Sequence, residues 1–157
     1  MSTSRPEFIF IAVVGFLIGL FILIGRISGW ATLARFYRYS NSFIGECWRF
    51  QSAEMRWKVG YNNCLTIGAN ESGLYLSVFF LFRFGHPLLF IRWADISMNI
   101  KKGLLRSYLE FRFQQAPMIP FRVNERLGQQ IAKAAGNAWP GEREKNSILN
   151  ILERRKK

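Results

Sequence analysis

The sequence predicts one membrane-spanning N-terminal helix followed by a small, mainly β domain that closes with a single α-helix. Three observations predict it. Residues 8–25 are apolar and uncharged, apolar and polar side chains then alternate with period two between Glu46 and Val123, and a helical pattern follows Asn124. Period two marks strands with one buried face, and a 3.6-residue period marks helices. Of the 157 residues, those beyond the anchor suffice for one domain. The chain divides into a short tail (1–7), the span (8–25), a connector (26–44), the β domain (45–136) and a basic tail (137–157).

The run FIFIAVVGFLIGLFILIG holds Leu, Ile, Phe or Val at all positions except Ala12, Gly15, Gly19 and Gly25. At a 1.5 Å rise per residue it reaches roughly 27 Å, enough for a hydrocarbon core. Insertion is worth roughly 4–8 kcal/mol on a biological scale. A cleaved signal peptide is the rival. Its basic flank would be Arg5 alone, the apolar run is too long, and Ala31 and Ala34 form no A-x-A site, so the anchor reading is preferred.

Arg26, Arg35 and Arg38 follow the span and Arg5 precedes it, so the positive flank predicts N-terminus outside and domain cytoplasmic, at the inner membrane for a bacterial source. Gly15 and Gly19, with Ala12 nearby, form a small-residue stripe that offers a homodimer contact between helices. Glycine is also common in membrane helices, and both readings stand.

Residues 26–44 mix Trp30, Phe36, Tyr37 and Tyr39 with the three arginines, a composition suited to the headgroup layer. Arg26, Trp30, Arg35 and Arg38 are therefore expected at the membrane surface. From Glu46 a first long strand is predicted. Trp48 and Phe50 share one phase, Ala53, Met55 and Trp57 the other, so a bulge is expected near Gln51. Val59-Gly60 connects to Tyr61–Ile67, and Asn70–Gly73 turns the chain.

Leu74–Phe84 is apolar on both faces and reads as a central strand. After Gly85-His86-Pro87 come Leu88–Trp93, then Ile96–Ile100, then Leu109–Phe113, and finally Ile119–Val123, where Pro120 points to an edge. Seven short strands of this kind predict a barrel or sandwich built of hairpins. Asn124 caps the last helix, Leu127, Ile131, Ala134 and Ala135 line its face, and Gly136 ends it.

Seven strands and a C-terminal helix resemble the pleckstrin-homology-like superfold, including its GRAM-like and bacterial branches, over about residues 45–136. The run Phe82–Ile96, FRFGHPLLFIRWADI, is also similar to stretches of small uncharacterised bacterial membrane proteins. The resemblance implies that the helix plugs one open end of the barrel. Lipid-binding members carry a basic first hairpin loop. Here that connection reads as only Val59-Gly60, behind Arg56 and Lys58, which argues against headgroup recognition.

Beyond Gly141, Ile148, Leu149, Ile151 and Leu152 form an apolar stripe before Arg154, Arg155, Lys156 and Lys157. An amphipathic helix on an anionic leaflet, with those four residues at the membrane surface, and a solvated chain end are both open. The net charge of +12 and pI of 10.4 would suit nucleic acid. Yet the basic residues are dispersed, and the positive-inside rule accounts for them. No nucleic acid, cofactor or metal is expected.

One histidine, His86 in a turn, offers no catalytic base with a partner, and Cys47 and Cys64 are expected as free, partly buried thiols. The expected role is a non-catalytic, membrane-tethered scaffold that meets the bilayer and a protein partner. An anionic-lipid reader is the alternative.

Overall fold

The computed structural model describes residues 6–102 and 107–141. Helix α1 (Pro6–Ile27) contains the whole apolar run and is long and apolar enough to cross a membrane. It leaves most of its surface exposed, so it is not the core helix of the domain. Gly29, in the left-handed region at φ 92°, turns the chain into α2 (Trp30–Tyr37). That turn suits glycine doubly, because a Cβ there would lie 2.6 Å from Ile119 Cδ1.

Seven strands follow: β1 (Glu46–Glu54), β2 (Gly60–Ala69), β3 (Gly73–Val78), β4 (Leu89–Arg92), β5 (Ile96–Lys102), β6 (Ser107–Phe113) and β7 (Ala116–Asn124). They form one antiparallel sheet in the order β4-β3-β2-β1-β7-β6-β5, so the sheet is open and β4 and β5 are its ends. Helix α3 (Glu125–Ala135) comes last. Asn124 accepts the Leu127 N–H at 2.8 Å, which satisfies one of the helix's orphan donors.

The sheet curls round one core. Leu65 and Ile67 of β2, Leu74 and Leu76 of β3, Phe111 of β6 and Phe121 of β7 are all buried in it. Leu127 and Ile131 of α3 pack against it, as do Trp30, Leu33 and Tyr37 of α2. The expected irregularity in β1 is present. Its pairing with β2 shifts register on both sides of Gln51, and Phe50 has φ 55°.

Two boundaries differ from the sequence reading. β1 stops at Glu54, and β3 stops at Val78 rather than Phe84. Nor is β3 central, since only β4 lies beyond it. Its reverse face is apolar because Phe43 stacks on Tyr75 there, with ring centroids 4.8 Å apart. Pro120 sits on β7, an interior strand. However, β1 pairs with β7 only at Glu54↔Arg122 and then turns away, so β7 has no β1 neighbour where Pro120 lies.

Candidate functional site

The densest cluster of buried polar groups lies where α1 meets the domain. Ser28 follows α1, Tyr61 opens β2 and His86 sits in the β3–β4 loop. Each is buried, although 33 and 25 residues separate the bonded pairs. His86 Nδ1 is 3.1 Å from the Phe84 carbonyl, which can only accept, so Nδ1 carries the proton. Nε2 then accepts from the Tyr61 hydroxyl at 2.9 Å, and Ser28 Oγ donates to Tyr61 at 2.7 Å. Trp30 completes the junction. Its indole N–H donates to the Pro87 carbonyl at 2.9 Å, and its ring meets His86 edge-on.

The electrostatics follow from burial. Desolvation pushes the Tyr61 hydroxyl up to about 12 against the smaller opposing pull of Ser28. It also lowers His86, despite backbone hydrogen bonds that favour the charged ring. Both stay neutral at physiological pH. The chain of hydroxyls and imidazole is buried and joins the end of α1 to the domain.

Close approach is built into the same place. A Cβ on Gly25 would lie 2.9 Å from the Gly85 carbonyl oxygen and 3.1 Å from the His86 ring. Phe82 packs on Phe21 of α1 with centroids 4.7 Å apart. The β3–β4 loop thus rides on the last turns of α1. Its 3-10 turn (Phe80–Phe82) leaves Phe80 62 % and Leu81 56 % exposed, and Phe84 just after it is 51 % exposed.

The β1–β2 connection corrects a second expectation. It is the turn Met55–Val59, closed by Lys58 N–H to Met55 O at 3.1 Å, with Trp57 and Lys58 both in the left-handed region. In the sequence Trp57 continues the alternation of Ala53 and Met55, which predicts a strand residue. Instead it projects 76 % exposed with Arg56 against its ring. The first hairpin loop is therefore basic and aromatic, not a bare Val59-Gly60.

On the reverse side of β1–β3, Arg49, Cys64, Thr66, Ser77, Phe79 and Arg83 line a cavity of about 420 Å³ without a carboxylate. Arg83 Nη2 donates to Ser77 Oγ at 3.4 Å. Cys47 also borders it. Both thiols are free, but only Cys64 is half-buried as expected while Cys47 is exposed; desolvation raises both above their ordinary value. A second polar cluster lies on β6 and β7. Glu110 is buried between Arg112 (2.9 Å) and Arg122 (2.8 Å). Desolvation would raise its carboxyl, but the two guanidiniums outweigh that and hold it low.

Of the residues expected at the membrane surface, Arg26, Arg35 and Arg38 are exposed. Trp30 is a correction. It is wholly buried, because the inward face of α2 (Trp30, Leu33, Tyr37) closes the core. Ala12, Gly15 and Gly19 lie on the open part of α1, and nothing comes within 4 Å of a Cβ at either glycine. Arg154, Arg155, Lys156 and Lys157 lie outside the described residues. Ser28, Gly25 and Tyr61 escaped the sequence reading, since only tertiary structure brings them to His86.

No family model, curated protein or solved structure matches the chain. Among the described residues, no group of three or more His, Cys, Asp or Glu is placed to hold a metal ion.

Proposed function

We propose that the chain is a membrane-tethered, non-catalytic module that holds a protein partner at the cytoplasmic face of a bilayer. Helix α1 is the span, and the arginines after it set the orientation. The strand order, with α3 after β7, supports the likeness to pleckstrin-homology-like domains, a superfold used for binding.

The observation that carries the reading is the unequal treatment of the two sheet edges. β4 is capped from its own chain: Arg38 bridges Leu89, and the Tyr39 N–H donates to Leu88 O at 2.8 Å. Among the described residues β5 pairs with β6 alone. Unpaired N–H and C=O groups along an edge accept an added strand. Beside that edge, Met98, Ile100, Leu109, Gly128, Ala132 and Trp139 border an apolar groove of about 190 Å³, with Ile100 67 % exposed. The groove lies away from α2, since Leu109 is four residues along β6 from the Phe113 that meets Tyr37.

The test is purification of the full-length chain from its native membrane in mild detergent, beside Ile100→Asp. The reading expects a stoichiometric partner with the first and its loss with the second. Recovery of both without a partner would overturn it.

A second reading, contact with anionic lipid, is favoured by the β1–β2 turn. Arg56, Trp57 and Lys58 project from it next to the β2 residue, Tyr61, that bonds Ser28 after α1. Each basic residue near an anionic leaflet contributes about 1 kcal/mol. Salt-sensitive binding of the full chain's domain to anionic over zwitterionic lipid nanodiscs would support it.

A further inference from the structure

We infer that the β3–β4 loop is a second membrane contact: its Phe80, Leu81 and Phe84 insert into the same leaflet through which α1 enters the domain. The inference rests on α1 spanning the bilayer. Phe82 packs on Phe21 and Gly85 lies against Ile22, so the loop is fixed beside helix positions three to four residues short of Gly25, the last residue of the apolar run. At 1.5 Å per residue those positions lie on the order of 5 Å inside the end of the apolar run. A loop held at that depth is in the lipid with it.

Its composition fits that place. Three large apolar side chains, Phe80, Leu81 and Phe84, are exposed together in one loop. The loop's backbone polar groups are partly satisfied within it, by Phe82 N–H to Phe79 O at 2.8 Å and His86 N–H to Arg83 O at 2.8 Å. That reduces the cost of burying them in an apolar medium. Arg83, its one charge, turns back to Ser77 and the basic cavity that holds Arg49. This places positive charge beside the apolar apex, where lipid phosphates lie.

Lipid is the occupant because the surface is continuous with the exposed apolar surface of α1 itself. Two contacts with one leaflet, joined through Gly25 and His86, leave the domain without freedom to swivel on its anchor. The basic β1–β2 turn and the β5 edge then keep a constant aspect to the membrane and to the cytoplasm.

The experiment uses the full chain in Cys47→Ser, Cys64→Ser background, reconstituted into phosphatidylcholine–phosphatidylglycerol nanodiscs. A bimane label is placed singly at Leu81→Cys, Phe84→Cys, Phe16→Cys or Ile100→Cys. The inference expects the labels at 81 and 84 to lose quenching by aqueous iodide and gain quenching by lipid-borne doxyl groups, as at 16, while the label at 100 does the opposite. Labels at 81 and 84 quenched by iodide, with 16 still lipid-quenched, would overturn the inference and leave the anchor intact. Shielding from both quenchers would mean that protein covers the loop, which overturns it too. A water-exposed label at 16 would instead sink the anchor reading.

Discussion

The hydroxyl of Tyr61 donates to Nε2 of His86 at 2.9 Å while accepting from Ser28 at 2.7 Å, so one phenol ties the first residue beyond α1 to the β3–β4 loop. The bond links helix α1 to the domain. It also explains why the chain's sole histidine sits between Gly85 and Pro87. The ring must enter a slot left by Gly25 while its own backbone turns away from β3.

Tyr61→Phe keeps the ring and removes both bonds, leaving His86 Nε2 buried without a partner. A stranded polar group of this kind costs about 1–3 kcal/mol. Denaturant unfolding of the full-length protein in detergent should show that loss. Ser52→Ala, on the exposed side of the same hairpin, should change stability little.

Acid should loosen the structure in two steps. His86 has its proton affinity lowered by burial, so below the ordinary histidine value of 6.5 the unfolded chain binds a proton that the folded one refuses. Stability therefore falls as pH drops through that window. Glu110 is held low by Arg122 and Arg112, so its contribution is present above the ordinary carboxyl range and is lost as pH falls below it. Because the chain has one histidine, NMR titration of its imidazole reads the first step directly. Glu110→Gln should abolish the second step.

Glycines along α1 should respond unequally to added bulk. Gly25→Ala brings a methyl against the Gly85 carbonyl and His86, and overpacking of this sort costs about 1–3 kcal/mol. Gly15→Ala meets nothing within 4 Å and should leave thermal unfolding unchanged. Equal responses would remove the close approach at Gly25 from the account.

The elements legible in the sequence are those whose signal is local. The span shows as uncharged apolar residues, β6 as the alternation of Leu109, Phe111 and Phe113, and α3 through Asn124 and Gly136. The bulge in β1 shows because Trp48 and Ala53 are out of phase. Other features were hidden for specific reasons. An apolar loop such as Phe79–Phe84 has the same composition as a strand buried on both faces, so the end of β3 at Val78 leaves no mark in the sequence. Trp57 continued a strand alternation that the backbone abandons at Met55. Trp30 matched the composition of an interfacial aromatic, yet it lies on the inward face of a two-turn helix. The Ser28–Tyr61–His86 junction depends on contacts across 25 and 33 residues, which no local pattern records.

The most direct test of the central claim, that the anchor is docked on the domain as one body, is a short bifunctional thiol cross-linker applied to Phe21→Cys/Phe82→Cys in Cys47→Ser, Cys64→Ser background, in membranes. The 4.7 Å ring separation predicts an efficient intramolecular cross-link, absent from Phe16→Cys/Phe82→Cys. A folded domain whose cysteines at 21 and 82 stay unbridged would show that the helix and the domain move apart, and would contradict it.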